Sequence, residues 1–216
     1  MSLARAYVIA SDAPAVVRQR AGHLEPQTSS HSQLCDGTTD DVEIQAAVDA
    51  LPALGGIVEL SEGTFNIAAT VTLKANVHLR GQGMGVTILL AIANLNAIML
   101  QDNSSTADNI AIEHLTIDGN GANQTGTLRH GVLLGTTTAN TQVKEKIRIL
   151  NVEAKDCRGT GVVLYGCSGA VVDGCYVTGS VGTAGSNGQG ILLVNCVGSQ
   201  VAHFFCSDNG RAGIAL

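Results

Sequence analysis

The 216-residue sequence contains no tryptophan, and aromatic residues together make up only 3% of the chain. Charged residues are also scarce at 14%, whereas hydrophobic residues reach 45%, which excludes a disordered chain. With so few rings, the core has to be built from small aliphatic side chains. Glycine is in excess, because 26 glycines are about one residue in eight against a typical 7%. This composition favours narrow, repetitive packing over an ordinary globular core.

Other absences narrow the range of functions. Twelve Lys and Arg residues against 18 Asp and Glu residues give a net charge of −6, so no basic stripe is available for a nucleic acid. No apolar run reaches the ~18 residues of a membrane span, and the N-terminus lacks the apolar centre of a signal peptide. The six cysteines include no Cys-x-x-Cys pair, the usual mark of a zinc site. We therefore predict no nucleic acid partner, no membrane insertion, no metal site and no cofactor, with only a loop-bound calcium ion left open.

The second half of the sequence contains an internal repeat. Hydrophobic positions spaced by two, three and two residues recur four times, starting at residues 110, 147, 170 and 199. A glycine-led element follows each copy, at Gly131, Gly161, Gly190 and Gly213. Alternation at period two predicts strands with one buried face, and the three-residue step predicts a one-residue corner between two strands. Three short strands per repeat, each paired with its counterpart one repeat along, predict a parallel solenoid.

Stacked repeats would bring equivalent residues of successive windings together. Cys167 and Cys196 each lie six residues after the leading glycine, so we expect them to be neighbours in adjacent windings. Free thiols that pack as small hydrophobic groups are favoured. A disulfide between these two cysteines is the alternative, because stacked Cα atoms fall within bonding range. Charged residues of mixed sign are expected on the solvent face: Lys144, Lys146, Arg148, Glu153 and Lys155.

The first half predicts a helix in front of the solenoid. Val8–Ala10 is predicted as a strand, followed by a helix that ends near Ala21 and by a loop over 23–34. The acidic segment Asp36-Gly-Thr-Thr-Asp-Asp precedes an amphipathic helix over about 40–51, which Thr39 or Asp40 is expected to cap. The predicted division is therefore 1–34, a strand–helix extension and loop, and 35–216, a solenoid with an N-terminal capping helix.

Four segments carry a resemblance to a known family: Asp36-Gly-Thr-Thr-Asp-Asp, Ile44-Gln-Ala-Ala-Val-Asp-Ala-Leu, Gly55-Gly-Ile-Val-Glu-Leu-Ser-Glu-Gly-Thr-Phe and Val77-His-Leu-Arg-Gly-Gln-Gly. Over about residues 35–216 the chain resembles the pectate-lyase-like superfamily, which includes phage tailspikes, polygalacturonases, pectate lyases and alginate C5-epimerases. The resemblance implies an all-β fold, a single-stranded right-handed parallel β-helix. It also implies a polysaccharide partner and an extracellular or virion-associated location.

The catalytic motifs of the enzyme members are not matched. The segment Leu115-Thr-Ile-Asp-Gly-Asn is similar to alginate epimerases, which carry Tyr-Gly-Phe-Asp-Pro-His on a following turn. The resemblance places that Tyr on Thr160, the Asp on Val163 and the His on Tyr165, and a further family His on Gln189. A valine cannot abstract a proton, so the acid–base set of the family is missing.

Five residues nevertheless remain candidates for a site. Asp118, Arg129 and His130 offer a carboxylate, a cation and an imidazole around one loop, and they are the candidate catalytic residues. A polar histidine at the edge of that loop is the alternative for His130. Tyr165, whose ring could stack on a sugar, and Gln189 are the candidate ligand-binding residues.

The glycine-led strands carry apolar residues on both faces. The residues expected to point outward are Leu133, Val163 and Leu192, and then Tyr165 and Val194 two places further on. A solvent-facing strand is normally polar at such positions, so this apolar stripe predicts an interface between subunits. Phage tailspikes often form trimers, and the resemblance therefore favours a homotrimer. A loop of the same chain that covers the stripe is the alternative.

Two functions follow from these observations. The first is a tailspike-like structural or carbohydrate-binding module that is oligomeric through the outward apolar stripe. The alternative is a polysaccharide-active enzyme of the lyase, glycoside hydrolase or uronate epimerase type, with a site built from loops or between subunits.

Overall fold

The computed structural model describes residues 3–21, 30–92, 95, 98–102, 107–125, 130–135, 144–182 and 188–216. These residues are mostly β-strand, with two α-helices, α1 (Ala15–Ala21) and α2 (Asp41–Ala50), and a 3-10 helix over Gly121–Asn123. The strands, in chain order, are β1 (Ala4–Ile9), β2 (Ser30–Leu34), β3 (Gly56–Leu60), β4 (Gly63–Ile67), β5 (Val71–Leu73), β6 (Val77–Arg80), β7 (Thr87–Ala91), β8 (Leu100–Asp102), β9 (Ala111–Asp118), β10 (Val132–Leu134), β11 (Lys144–Glu145), β12 (Arg148–Lys155), β13 (Val162–Tyr165), β14 (Cys167–Ser168), β15 (Val171–Asp173), β16 (Tyr176–Thr178), β17 (Gln189–Val194), β18 (Gln200–Ala202), β19 (Phe205–Ser207) and β20 (Ala212–Ala215).

Parallel pairing of successive windings organises these strands into three sheets. The first sheet runs in the order β18-β15-β12-β9-β6-β3-β1-β2, with β4, β7, β16 and β19 paired alongside. The second sheet runs β20-β17-β13-β10-β8-β5, and the third pairs β11 with β14. From β3 in the first sheet and from β5 in the second, each step along the sheet moves one winding along the chain, so these windings lie on one another as the repeat predicted. The chain is a parallel β-helix.

The register confirms the predicted columns. Ile112 pairs with Ile149, Ile149 with Val172, and Val172 with Val201. The inward positions of the first three copies are all buried: Ile110, Ile112, Leu115, Ile117, Ile147, Ile149, Val152, Ala154, Ala170, Val172, Cys175 and Val177. The fourth copy is more open, since Phe204 is 45% exposed. Small aliphatic side chains therefore fill a narrow core, as the scarcity of aromatic residues indicated.

The one-residue corner of the repeat has a simple backbone cause. His114, Asn151, Gly174 and His203 occupy it in four successive copies, and each has a positive φ between 45° and 66°. One residue in the left-handed region turns the chain sharply between two extended segments. Glycine, asparagine and histidine adopt this region more readily than β-branched residues do, which accounts for the residue types found at the corner.

The N-terminal part differs from expectation in two places. Residues 23–34 were expected to form a loop, but Ser30–Leu34 forms strand β2 and pairs with β1, which also pairs with β3. Asp40 stands at the N-cap position of α2 without bonding to the first turn of the helix. Its carboxylate instead accepts the backbone N–H of Gly37 at 2.8 Å and of Asn66 at 2.7 Å. The carboxylate thereby fastens α2 to strand β4.

Helix α2 packs on the core as its amphipathic pattern predicted. Ile44, Ala47, Val48 and Leu51 are all buried. No helix among the described residues is long and apolar enough to span a membrane. The division of the chain near residue 34 stays a prediction.

Lys144 does not lie on the solvent face as expected. Its side chain is fully buried and ion-paired with Asp102, whose side chain is 4% exposed. The ammonium also donates to the carbonyl of Ala107 at 3.2 Å, while Asp102 accepts the N–H of Gly135 at 3.0 Å. Strand β11 brings Lys144 onto an inward position of the third sheet, where only a partnered charge is tolerated.

We predict that the Asp102–Lys144 pair is coupled in stability. Asp102→Asn leaves a buried ammonium without its partner, so the free energy of unfolding falls by about 3–5 kcal/mol, and Lys144→Met has a comparable cost. The double variant removes both charges and loses less than the sum of the single variants. Guanidinium denaturation of the four proteins measures this coupling, and strictly additive losses would contradict it.

Candidate functional site

The predicted site residues lie in the connections between strands of the first sheet and strands of the second sheet. We call this region the loop edge, formed by residues 118–125, 130–131, 156–161, 179–182 and 188–190 of successive windings. The glycines that open the second sheet sit against one another here. A Cβ atom on Gly161 would lie 2.9 Å from the carbonyl oxygen of Gly190 and 2.3 Å from Val177 Cγ1. Glycine at these positions therefore allows close approach of the windings.

A buried polar ladder runs along the loop edge. His130, Thr160 and Gln189 each precede the leading glycine of their winding, and all three are 5% exposed or less. The backbone N–H of Thr160 donates to His130 Nδ1 at 2.9 Å, and the Thr160 hydroxyl donates to Gln189 Oε1 at 2.8 Å. Each buried polar group thus finds its partner one winding away.

This ladder decides what His130 can do chemically. Because Nδ1 accepts a backbone hydrogen bond, the ring proton of the neutral form sits on Nε2. Burial lowers the pKa of His130, and the bond from Thr160 only partly opposes that effect. A neutral imidazole in this state can donate from Nε2 but has no free lone pair with which to act as a general base. The structure therefore favours a positioning role over the predicted catalytic one.

The other sequence candidates have different outcomes. The side chain of Gln189 is buried in the ladder, and its role in ligand binding stays a prediction. Tyr165 is half-buried at the end of β13, and its role stays a prediction. Arg129 lies outside the described residues. Asp118 is half-buried, with Oδ2 paired to Lys155 Nζ at 3.2 Å and Oδ1 accepting the N–H of Asn120 at 2.9 Å.

A cavity of about 420 Å³ opens at the loop edge beside Asp118. Its lining residues come from three successive windings: Asp118, Asn120, Gly121, Ala122, Asp156, Gly179 and Val181. Polar and apolar groups share this lining, and its carboxylate, amide and backbone groups can hydrogen-bond to a hydroxylated ligand. The cavity is wide enough for a sugar unit.

Two cations contact residues that line this cavity, and sequence reasoning did not select either of them. Lys155 lies on the outward face of β12 and pairs with Asp118, while Arg158 Nη1 donates to the carbonyl of Gly121 at 3.5 Å. Partial burial alone would lower the pKa of Lys155, but its hydrogen bond to Asp118 and the nearby acidic charges together raise it. Lys155 therefore stays protonated and is suited to bind a carboxylate, not to remove a proton.

A larger cavity, of about 500 Å³, lies in the N-terminal part of the β-helix, between β1, β3 and α1. Two of its charged side chains are paired with each other, since Arg5 Nη1 lies 3.2 Å from Glu59 Oε2. None of the predicted site residues lines it. The loop edge is therefore the better candidate site.

The outward apolar stripe is only partly available as a surface. Leu133 pairs with Val163 and Val163 with Leu192, so the predicted column is confirmed. Val163, however, is fully buried within the single chain and does not offer surface to another subunit. Leu133, Leu192, Tyr165 and Val194 are half-buried. The cover over Val163 agrees with the alternative that part of the same chain lies on this stripe.

Among the described residues, one cluster has the geometry for a metal ion, formed by Cys35, Asp40 and Glu43. Both oxygens of Asp40 already accept backbone N–H groups. Burial, followed by the charges of Asp40 and Glu43, raises the pKa of the Cys35 thiol, so the thiolate that a metal needs is disfavoured. The cluster is accounted for as an anchor of α2. A calcium ion held by loops stays a prediction.

We predict that the buried His130 and the half-buried His78 make stability depend on pH. Burial lowers the pKa of His130 and of His78, so the folded state resists their protonation while the unfolded state does not. Their contribution to the free energy of unfolding is complete above about pH 6.5 and is lost as the pH falls towards the pKa values of the folded state. Urea denaturation between about pH 7.5 and 5.5 should show falling stability, with a smaller slope in His130→Gln and in His78→Gln. An unchanged slope in both variants would contradict the assignment.

Comparisons with known proteins agree with this architecture. No family model matches the sequence. The chain is 32% identical over 141 residues to the mannuronan C5-epimerase AlgE6 of Azotobacter vinelandii, a match that covers 59% of this chain and 16% of that protein. It is 36% identical over 104 residues to alginate lyase 7 of the same organism, covering 42% of this chain and 12% of that protein. The chain thus spans a small part of these relatives.

Solved structures extend the similarity to most of the chain. The A-module of the epimerase AlgE6 matches with a TM-score of 0.72 and 25% identity, over 83% of this chain and 49% of the module. ORF18 of Geobacillus virus E2 matches with a TM-score of 0.64 over 81% of this chain and 37% of that one, and at 21% identity it shows the fold alone. Sequence and fold together confirm the resemblance to the pectate-lyase-like superfamily, and the chain is a parallel β-helix related to mannuronan C5-epimerase modules.

Proposed function

We propose that this chain is a module of a polysaccharide-active protein and that it binds a uronic-acid polymer along the loop edge. The observation that carries the proposal is the sequence similarity to mannuronan C5-epimerases and to an alginate lyase. A location outside the cell or on a virion, and the right-handed sense of the winding, are parts of this proposal. The two sources of support, relatives and site geometry, are independent of each other.

Charge explains why the loop edge is the place for such a ligand. Every unit of a uronate polymer carries a carboxylate, and the chain itself has a net charge of −6, so overall the two repel. Binding then needs local cations, which Lys155 and Arg158 supply beside the 420 Å³ cavity. Asp118, Asn120 and Asp156 add acceptors and donors for sugar hydroxyls. This arrangement also makes Asp118 a competitor of the ligand carboxylate for Lys155.

Turnover is a separate question from binding. The family's acid–base positions fall on Thr160, Val163, Tyr165 and Gln189, of which all but Tyr165 are buried. Proton abstraction next to a carboxylate requires a base within hydrogen-bond reach of the substrate. We therefore propose that this chain by itself binds the polymer without turning it over. A loop-built catalytic site around Asp118, Arg129 and His130 is the competing proposal.

Calorimetry with mannuronan and guluronan, with neutral dextran as the control polymer, tests the binding proposal. Proton exchange from D₂O into the polymer, followed by NMR, and ultraviolet absorbance of unsaturated chain ends test turnover. We expect binding of the uronate polymers alone and neither kind of turnover. Failure of mannuronan and guluronan to bind would overturn the proposal, whereas turnover that is lost in Asp118→Asn would establish the competing site.

Variants of Lys155 and Asp118 are expected to change the affinity for the polymer in opposite directions. Lys155→Gln removes a charge-assisted contact, so the dissociation constant should rise about tenfold. Asp118→Asn frees Lys155 from its internal partner and should tighten binding. Lys146→Asn is the matched control, because Lys146 is exposed at a corner away from the loop edge and asparagine tolerates its positive φ. Weaker binding in Asp118→Asn, or equal effects of Lys155→Gln and Lys146→Asn, would contradict the site.

A second candidate is a tailspike-like structural module that forms a homotrimer. The half-buried apolar residues of the outward stripe, Leu133, Leu192, Tyr165 and Val194, support an intersubunit contact. The viral protein with the same fold shows that this architecture occurs in a phage, although not what it does there. Such a module would use the β-helix as a rigid shaft and need no chemistry at the loop edge.

Light scattering after size exclusion tests the oligomer. If the stripe forms the contact, the wild-type chain has three times the monomer mass, and Leu192→Lys reduces it to the monomer because a charge enters an apolar interface. Leu54→Lys is the control, since Leu54 is 79% exposed between α2 and β3. A wild-type monomer, or an oligomer that survives Leu192→Lys, would exclude this contact.

A further inference from the structure

We propose that Cys167 and Cys196 form a thiol–disulfide site on the third sheet, at which the chain exchanges with small-molecule disulfides. This inference does not depend on the proposed polysaccharide function. It rests on the register of three windings, on the stacking of two thiols and on their different exposure.

The register places the two cysteines directly above each other. Lys144 pairs with Cys167, and the neighbouring bridge between Ser168 and Val197 sets Cys196 opposite Cys167. The backbone N–H of Val197 donates to the carbonyl of Cys167 at 2.9 Å, which fixes this alignment. Parallel strands lie about 4.8 Å apart, inside the Cα separation of about 4.4–6.8 Å that disulfides span.

The two thiols are stacked in adjacent windings but are not equivalent. Cys167 is fully buried, whereas Cys196 is half-buried and therefore open to a reagent from solvent. Cys167 Sγ lies 3.5 Å from the carbonyl of Tyr165, and Cys196 Sγ lies 3.5 Å from the carbonyls of Leu164 and Val194. A hydrogen bond between the thiols lowers the pKa of Cys196, against the opposing effect of burial, and raises the pKa of Cys167. Cys196 is thus the attacking sulfur and Cys167 the resolving one.

The remaining cysteines lack this combination. Burial raises the pKa of Cys157 to about 12 and of Cys175 to about 11, and it also raises the pKa of Cys35 and Cys206. Cys35, Cys157 and Cys175 are buried as well. Cys206 is half-buried, but its strand register sets it beside Val177, so no cysteine lies directly opposite it in that winding.

The exchange proceeds in two steps. The Cys196 thiolate attacks one sulfur of a disulfide R–S–S–R, which forms a mixed disulfide and releases R–S⁻. Cys167 then loses its proton to solvent and attacks the Cys196 sulfur, which forms the Cys167–Cys196 bond and releases the second R–S⁻. In total, two protein thiols are oxidised by two electrons and one small-molecule disulfide is reduced to two thiols. The product joins two adjacent windings of the β-helix covalently.

Oxidised glutathione and intact-protein mass spectrometry test this site. The reduced wild-type chain should lose two hydrogens without a retained adduct, and peptide mapping should locate the bond at Cys167–Cys196. Cys167→Ser should retain one glutathionyl group on Cys196, because no resolving thiol is present. Cys196→Ser should react at least tenfold more slowly. Cys175→Ser is the control and should behave as the wild type.

The thermal unfolding midpoint provides a second readout. The oxidised wild type should unfold about 5–10 °C above its reduced form, because the bond restricts the unfolded chain. Alanine variants at both positions replace the serine variants if circular dichroism shows that serine disturbs the fold. A disulfide mapped to another pair, equal rates in Cys196→Ser and the wild type, or no reaction of the wild type would each overturn the proposal.

Discussion

The structure depends on backbone pairing between successive windings. In the two large sheets, strands hydrogen-bond to the strands of neighbouring windings, so a residue at one position of the repeat lies beside the equivalent residue of the next winding. This constraint selects small aliphatic residues inward, glycine where the windings approach most closely, and residues that tolerate positive φ at the corner of His114 and Asn151. This arrangement therefore explains the unusual composition of the chain.

The same constraint determines how polar groups are buried. A polar side chain inside the stack has a neighbour one winding away, and that neighbour becomes its partner. His130 and Thr160 are linked in this way at the loop edge, and Lys144 in the third sheet pairs with Asp102 of strand β8. Chemistry in this molecule is therefore arranged in columns that run along the helix axis. A ligand made of repeating units, such as a polysaccharide, matches a surface of that kind.

The sequence predicts the windings well because their signal is periodic. The spacing from Ile110 to Ile117 repeats in register, and the structure pairs those copies as expected. The candidate site was predicted less well, because burial of a single side chain depends on what lies over it. The alternation of hydrophobic residues around Val163 does not predict that its outward side chain is covered by the rest of the chain. The sequence also does not indicate that Lys144 points inward, because its partner, Asp102, is 42 residues away. Lys155 and Arg158 were missed as site residues because the cavity beside them is formed by three separate windings.

The resemblance places the family's acid–base positions on Thr160, Val163, Tyr165 and Gln189, which is why we propose binding and not turnover for this chain. That assignment, like the thiol pair and the polar ladder, presupposes that the windings are stacked in the stated register. X-ray crystallography tests this most directly through the column of Leu133, Val163 and Leu192. The account predicts Cα separations of about 4.8 Å between successive members of the column. Separations of about 10 Å or more would contradict it.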